Sequence, residues 1–384
     1  MLTMLCVLAQ FVLFSYSYNY NCNAAHAQVP GLPLTIKCGP FKAGHIQGIA
    51  VDVKNRAVYC SFTTMLAKYD FNGRLVGTVT GLLGHLGCLD FNDADGKVYG
   101  TLEYKDDVIG RGILKMEKSD RKFQNNFYVA IFDGSRICRE GMQGGRDSVM
   151  TAVPLPTVLA DYSARVNVGG RELDHRFACS GIDGISFGPR MGKSSGKQML
   201  TVAYGVYGDT SRTDNDYQVL LQYDISNWGK YARPLSQDIP SFQGPAKPSA
   251  RYFVHTGSTD WGVQNLEYDS FSGLWYMAVY KGCKPSFPNY SMYAVCSASR
   301  PQKQKLEGIP YAGRGLVVPL ADAPLCDAAT GITGWNFPYG STGMHSLGGG
   351  YFYFSENFRT EEGESSVLRL YRATGTASGF ERVE

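Results

Sequence analysis

Histidines and carboxylates stand at matching places in a short phrase that occurs five times in this chain. His45 and His85 open the first two copies, Asp183 lies in the third, His345 lies in the fifth, and Glu103 closes the second. Neutral imidazoles and carboxylates hold divalent cations, and a cation with an open position activates water. One candidate chemistry is therefore metal-assisted hydrolysis, with His45, His85, His345 and Asp183 as ligands and Glu103 as general base.

Two other chemistries need no metal. Glu103, Asp183 and Glu356 could act in pairs on a glycosidic bond, one as acid and the other as base or nucleophile. The third route is elimination, in which a histidine and a tyrosine remove and return a proton while a cation neutralises a carboxylate of the substrate. The tyrosine candidates are Tyr204, Tyr207 and Tyr280, and the cation candidates are Lys105, Lys281 and Arg212.

These routes together give the predicted site. The predicted catalytic residues are Glu103, His85, Asp183, Tyr204 and Glu356. The predicted substrate-binding residues are Gln47, Lys105, Tyr207, Arg212, Trp261, Gln264, Tyr280, Lys281, Trp335 and Asn357. The two tryptophans are included because aromatic faces beside polar donors suit sugar rings.

The repeated phrase is a pair of short runs rich in β-branched and aromatic residues, joined by a turn. Its five copies span residues 45–63, 85–103, 181–204, 262–280 and 343–357. Each copy has the pattern of a β-hairpin, and further strand-like runs follow several of them. Because a repeated strand–turn–strand unit indicates a radial array, we predict an all-β, five-bladed β-propeller of four-stranded antiparallel blades with few helices.

A six-bladed propeller is the main structural alternative. Residues 111–178 are long enough to hold an extra blade, and Asn126–Phe132 has the composition of a strand.

The predicted ring brings the polar ends of the phrases together. In a propeller the first strand of each blade starts at one face and the second strand returns to it, so both ends reach one central mouth. The residues expected there differ between blades: Gln47, Gly87, Asp183, Gln264 and His345 occupy equivalent places. This asymmetry favours one central site over five equal ones.

Each candidate also has a structural interpretation that the sequence leaves open. His45 and His85 follow glycines and could hydrogen-bond within their own blades, and Glu103 could be solvated beside Lys105. The loop after Tyr204 carries several aspartates but lacks the pattern of a helix-loop-helix calcium site, so an ordinary turn is equally compatible with it.

The first 27 residues predict export. They carry no charge, include an apolar run, and end in Ala25-His-Ala27, a small-x-small cleavage pattern. The run is too short to span a membrane. We therefore expect a signal peptide over 1–27, a single propeller domain over 28–384, and a secreted, periplasmic or cell-surface location.

Composition limits the partners. The net charge is +3 with Lys and Arg scattered, which argues against nucleic acid. Eight cysteines after residue 27 permit disulfides in an exported chain, and the lack of a C-x-x-C pair argues against structural zinc. We expect a monomer that acts on a glycan or another small polar substrate. Its predicted cofactors are one divalent metal ion of unspecified identity and no organic cofactor.

The phrases over about residues 45–372 resemble those of secreted five-bladed β-propellers. That architecture is used by several glycoside hydrolases, a metal-dependent amino-sugar deacetylase, calcium-dependent nucleotidases and plant-type glutaminyl cyclases. His45-Ile-Gln-Gly-Ile is similar to the Phe-Thr-Gln-Gly-Leu opening of the cyclases, but Tyr59-Cys-Ser61 replaces their Tyr-Glu-Ser, so that activity is not carried over. The resemblance is to an architecture and to no single family, and fold alone does not give function.

The function predicted from these residues is a secreted carbohydrate-active enzyme. It would hydrolyse a glycosidic bond or an acetyl group, with or without a metal, or eliminate a glycan at the central mouth. The alternative is a non-catalytic propeller that binds a glycan or a protein.

Overall fold

Five sheets, each beginning with one copy of the repeated phrase, form a ring in the computed structural model, which describes residues 31–384. The first strand of each sheet lies innermost and contacts the first strands of the sheets before and after it, and the last sheet contacts the first. The chain is therefore a five-bladed β-propeller, as predicted. The predicted signal peptide lies outside the described residues.

The first two blades have four antiparallel strands each. In blade 1 these are Ile46–Asp52, Ala57–Phe62, Met65–Asp70 and Leu75–Thr80, with the short parallel strand Met142–Gln143 added outside. In blade 2 they are His85–Asn92, Lys97–Tyr104, Asn126–Phe132 and Met150–Pro154. Since Asn126–Phe132 is the third strand of blade 2, the six-bladed alternative is wrong.

Blades 3 and 4 differ in size. Blade 3 consists of Cys179–Pro189, Gln198–Val206, Tyr217–Tyr223 and Ala250–His255, extended by Arg314–Val317 and Gln302–Lys305. Blade 4 consists of Thr259–Asp269, Leu274–Lys281 and Met292–Cys296. Two small hairpins lie outside the blades, formed by Arg165–Val168 with Arg171–Asp174 and by Leu325–Cys326 with Thr333–Gly334.

Blade 5 closes the ring with strands from both ends of the described chain. Its strands are Met344–Gly348, Tyr351–Arg359, Glu364–Ala373 and Thr35–Phe41, with Phe380–Arg382 at the edge. Thr35–Phe41 pairs antiparallel with Glu364–Ala373, opposing Ile36 to Leu368. This pairing covers a sheet edge that would otherwise be open.

Most strand residues are apolar because the blades pack face to face. Ile46–Asp52, Ala57–Phe62 and Asn126–Phe132 are buried along their whole length. A strand that is buried on both faces consists mainly of apolar residues. A polar residue inside such a strand is removed from water and therefore needs a hydrogen-bonding or charged partner.

Helices are few within the described residues 31–384, as expected. They are Val108–Met116 and Pro156–Tyr162, with 3₁₀ turns at Gly134–Arg136, Arg176–Ala178 and Trp228–Lys230. Asp107 caps the first helix by accepting a hydrogen bond from the main-chain nitrogen of Gly110, 2.8 Å away. No helix among residues 31–384 is long and apolar enough to cross a membrane.

Candidate functional site

The polar ends of the strands meet around a cavity of about 280 Å³ at one end of the ring, which we call the mouth cavity. Its walls include nine of the predicted residues: His45, Gln47, His85, Glu103, Lys105, Asp183, Trp261, Gln264 and Tyr280. Thr63 and Ile109 complete the lining. The start-and-return geometry of the blades therefore places residues from blades 1 to 4 around one opening.

His85 lies between two carboxylates. It pairs directly with Glu103 on the adjacent strand, and its Nδ1 is 3.5 Å from Glu103 Oε1 and 3.5 Å from Asp183 Oδ1. Burial alone would lower the pKa of His85, but the two carboxylates outweigh burial and raise it. The two carboxylates therefore stabilise the imidazolium form of His85 relative to an isolated histidine, although its Nδ1 makes no hydrogen bond within the described residues.

Glu103 is held by groups around both of its oxygens. Lys105 Nζ lies 2.9 Å from Oε1, and the main-chain nitrogen of Ile182 donates to Oε2 at 3.0 Å. Burial would raise the pKa of Glu103, but Lys105 and His85 hold it below its ordinary value. Glu103 is thus an ionised carboxylate that orients His85.

Gly181 makes room for this arrangement. Its φ is +135°, and a Cβ atom there would lie 1.8 Å from Glu103 Oε2. Only glycine combines this backbone conformation with so close an approach.

Lys105 is a buried cation shared among several acceptors. Besides Glu103, its Nζ lies 3.7 Å from Asp107 Oδ2 and donates to the carbonyl of Ser180 at 2.8 Å. Burial would lower its pKa, but Glu103 and Asp107 raise it above the ordinary value. The ammonium group therefore remains charged inside the protein.

Asp183 is less easily ionised than Glu103. Burial and the nearby Glu103 raise the pKa of Asp183 to about 6. Gln264 Nε2 donates to its Oδ2 at 3.2 Å and to the carbonyl of Trp261 at 3.0 Å. One amide thus fixes a carboxylate and an aromatic segment of the wall.

His45 lies exposed at the rim, with its Nε2 2.9 Å from Gln47 Nε2. Partial desolvation of its ring and the nearby His85 both lower the pKa of His45. The surroundings therefore shift the pKa values of the two histidines of the cavity in opposite directions, down for His45 and up for His85.

Two aromatic side chains, Trp261 and Tyr280, belong to the lining of the mouth cavity. Trp261 has a φ of +62° and lies at a bulge between Asp260 and Val263. Such a conformation is unusual for a tryptophan, and a bulge redirects a side chain. Tyr207, a predicted substrate-binding residue, is not part of the cavity lining; it packs against Trp261 instead, with 5.6 Å between the ring centroids. Burial and the nearby Asp183 raise the pKa of Tyr280 to about 12.

Several predicted site residues lie elsewhere. Tyr204 is fully buried and donates to Asp161 Oδ2 at 2.7 Å. Arg212 is buried beside Asp214, with its Nε 2.8 Å from Oδ1, and donates to the carbonyls of Asp174 and His175. These are structural contacts, because strand side chains alternate and Gly205, not Tyr204, faces Asp183.

Four more corrections concern the last two blades. Glu356 is surrounded by Arg369, Tyr371 and Arg382, away from the mouth, because Ser355 takes the inward position. Trp335 is buried against Tyr276, Lys281 is exposed outside the cavity lining, and Asn357 donates to the carbonyl of Ile46 at 3.0 Å.

His345 is also absent from the mouth. His345 belongs to a second group with Asp90 and Glu267, which we call the axial cluster. The Nδ1 atom of His345 lies 3.6 Å from Asp90 Oδ1 and 3.7 Å from Glu267 Oε1. Asp90 is five residues beyond His85 on the same strand, roughly 16 Å at about 3.3 Å per residue. The axial cluster thus lies toward the opposite end of the ring axis.

The register explains the misplacement of His345. His345 pairs with Tyr353, just as Asp90 pairs with Tyr99 and Glu267 with Tyr276. The inner strands of blades 2 to 4 carry bulges before this level, whereas the strand of blade 5 starts only at Met344. Aligning the copies on their tyrosines instead of their glycines would have revealed the axial cluster.

Two other residues of the lining were not predicted as ligands or catalysts. Thr63 is the end of a predicted strand, but a threonine there carries no specific chemical signal. Ile109 comes from the helix Val108–Met116, whose nine residues are too short for a clear sequence period.

Both clusters have ligand atoms within 4.8 Å of one another and could hold a metal ion. At the mouth the group is His85, Glu103 and Asp183, but Lys105 already supplies a positive charge there. No lysine or arginine of residues 31–384 forms an ion pair with Asp90 or Glu267.

No protein-family model and no curated protein matches this chain. Among solved structures, it is similar to the apo-form of the soluble aldose sugar dehydrogenase of Escherichia coli, at 9% identity over 89% of this chain and 100% of that one, with a TM-score of 0.41. A GH43 β-1,3-galactosidase with galactodeoxynojirimycin matches at 10% identity over 86% and 92%, with a TM-score of 0.39. The PQQ domain of a pyranose dehydrogenase from Coprinopsis cinerea matches at 12% identity over 84% and 81%, with a TM-score of 0.31. Values this low carry no argument about the function of this chain.

Proposed function

We propose that this protein is a carbohydrate-active enzyme that works outside the cytoplasm and exchanges protons with a glycan in the mouth cavity. The observation that carries the proposal is that His45 and His85 share this cavity while their surroundings move the two pKa values in opposite directions. A neutral His45 can accept a proton and a charged His85 can donate one or stabilise an anion. Divergent pKa values of neighbouring groups are what acid–base catalysis near neutral pH requires.

The contacts of Glu103 suit a residue that positions its neighbours better than one that attacks the substrate. Both oxygens of Glu103 are engaged, one by Lys105 and one by the main-chain nitrogen of Ile182, so neither is free to attack a sugar. The paired-carboxylate mechanism of many glycosidases is therefore less well supported than a mechanism based on the histidines.

Metal-assisted hydrolysis at the mouth is also less well supported. The ligand atoms of His85, Glu103 and Asp183 are close enough for a shared cation. However, the ammonium group of Lys105, 2.9 Å from Glu103, would lie beside that cation and repel it.

Elimination from a uronic-acid glycan uses the residues of the cavity most completely. His45 would remove the proton next to the substrate's carboxylate, and His85 would offset the charge of that carboxylate. The phenol of Tyr280 keeps its proton at neutral pH, since its pKa is raised to about 12, and would protonate the leaving oxygen as the C–O bond breaks. Trp261 offers a face for a sugar ring.

A screen of purified protein against uronic-acid, sulfated, acetylated and neutral glycans tests this proposal. Elimination produces an unsaturated uronate that absorbs ultraviolet light, whereas hydrolysis produces reducing ends or acetate without that absorbance. We expect the unsaturated product, with and without a chelator. Hydrolysis that stops with a chelator would instead support the metal-assisted route. Tight binding with no product from any glycan would refute the enzyme proposal and favour the alternative of a non-catalytic binding propeller.

A further inference from the structure

The axial cluster has the features of a cation site that is separate from the mouth cavity. Asp90, Glu267 and His345 are 4%, 3% and 7% exposed, and they come from three different blades. Two ionised carboxylates are costly to bury together unless a cation or a shared proton compensates them. Among residues 31–384, no lysine or arginine provides that cation.

The hydrogen bonds around His345 leave one ring nitrogen bare. Nδ1 of His345 is buried without a hydrogen-bond partner among the described residues, although it lies 3.6 Å from Asp90 Oδ1 and 3.7 Å from Glu267 Oε1. In the neutral tautomer that carries its proton on Nε2, the ring directs the lone pair of Nδ1 toward these two carboxylates. Such a lone pair is available to coordinate a cation.

The carboxylates are oriented in the same way. Asp90 accepts from the main-chain nitrogens of Phe91 at 2.7 Å and Phe187 at 2.6 Å, and Glu267 accepts from that of Ser346 at 2.8 Å. The second oxygen of Glu267, Oε2, is buried without a hydrogen-bond partner among residues 31–384. Two orphaned atoms, one nitrogen and one oxygen, thus occur in one buried group.

The mouth cavity shares only part of this combination. His85 Nδ1 is also buried without a hydrogen-bond partner among the described residues, but no oxygen of Glu103 or Asp183 is orphaned, and Lys105 supplies a positive charge 2.9 Å from Glu103. The absence of a comparable ammonium group beside the axial cluster is the physical difference between the two groups, as far as the described residues show.

We propose that Asp90, Glu267 and His345 bind one divalent transition-metal cation, best matched by Zn²⁺, which joins the inner strands at the end of the axis opposite the mouth. The separations of 3.6 and 3.7 Å between ligand atoms are close to the roughly 3.4 Å expected for tetrahedral bonds of about 2.0–2.1 Å. One imidazole with two carboxylates suits Zn²⁺, whereas Ca²⁺ prefers six to eight oxygens. Three protein ligands leave a fourth position for water, and the burial of all three favours a structural role for the ion.

The ion would connect four of the five blades. Its ligands come from blades 2, 4 and 5, and the hydrogen bond from the main-chain nitrogen of Phe187 to Asp90 reaches blade 3. Binding to the folded state alone would stabilise the ring in proportion to the logarithm of the free cation concentration.

Metal analysis of the full chain tests the proposal without any substitution. We expect about one zinc per chain after purification and desalting, and loss of zinc on treatment with a strong chelator. Adding Zn²⁺ back at roughly a thousand times its dissociation constant should raise the melting temperature by about 5 °C, whereas Ca²⁺ should not. No metal and no shift with Zn²⁺ would overturn the proposal, as would a response to Ca²⁺ alone.

Substitutions locate the ion. Glu267→Gln and Asp90→Asn keep the side-chain shape and should each abolish zinc retention, while the matched mouth substitutions Glu103→Gln and His85→Gln should preserve it. Zinc lost only in the mouth variants would place the ion there and contradict the proposal. If a variant of the axial cluster does not fold, the chelation and re-addition experiment on the unmodified chain still decides the question.

Discussion

Replacing Lys105 by methionine would leave the buried Glu103 carboxylate without its cation. Lys105 Nζ lies 2.9 Å from Glu103 Oε1 and donates to the carbonyl of Ser180 at 2.8 Å, and both charged side chains are almost completely buried. Methionine keeps much of the apolar length of lysine but cannot donate a hydrogen bond. The substitution therefore isolates the loss of the charge and of the contacts with Glu103, Asp107 and the Ser180 carbonyl.

The expected loss is about 3–5 kcal/mol in the free energy of unfolding, the range for removing one partner of a buried ion pair. The entropy of unfolding for a unit of this size is about 0.7 kcal/mol per degree. The melting temperature should therefore fall by about 4–7 °C.

Scanning calorimetry at pH 7 measures this change, with Lys281→Met as the matched control. Lys281 is exposed near the same end of the ring, so its substitution should change stability by no more than about 0.5 kcal/mol. The double variant Lys105→Met with Glu103→Gln should recover part of the loss, because no charge then remains unpaired. A loss below about 1 kcal/mol for Lys105→Met, or a double variant less stable than the single one, would refute the assignment of this ion pair.

Three further predictions concern single residues of the mouth. Gly181→Ala should destabilise the fold by more than about 2 kcal/mol because the added Cβ would collide with Glu103. The control Gly112→Ala has open space around the added Cβ and should be neutral or slightly stabilising. Equal melting temperatures of the two variants would contradict this prediction. The pKa of Asp183 is raised to about 6 in the folded state, so the stability it contributes is present below about pH 4 and is lost as the pH rises to about 6. Asp183→Asn should remove this loss, and melting curves of both proteins that run parallel over this pH range would disprove it. Trp261→Ala should raise KM for the glycan roughly tenfold with a smaller change in kcat, and an unchanged KM would exclude a stacking role.

The architecture was predictable from sequence because the five phrases combine strand composition with turn residues at similar spacing. The closing strand Thr35–Phe41 was not predicted, since its partner Glu364–Ala373 lies more than 300 residues away and pairing over that distance leaves no local signal. The helix Val108–Met116 was missed because it spans only nine residues.

The mouth was predictable where strand order alone decides position. His85 and Glu103 are direct partners, as expected from the start of one strand and the end of the next. Tyr204 and Glu356 were misplaced because side chains alternate between faces, and a shift of one residue reverses the direction of a side chain. His345 was misplaced because blade 5 lacks the bulges that precede the same level in blades 2 to 4.

The most direct test of the proposed centre is steady-state turnover of His45→Gln and His85→Gln on the best glycan from the screen, with melting temperatures measured in parallel. Acid–base catalysis contributes about 10²–10⁴-fold, so each variant should lose at least about a hundredfold in kcat. His45→Gln should keep the melting temperature of the unmodified protein, whereas His85→Gln should lower it, because the imidazole of His85 lies between two buried carboxylates. A kcat within about threefold of the unmodified protein in both variants would show that the chemistry takes place outside the mouth cavity.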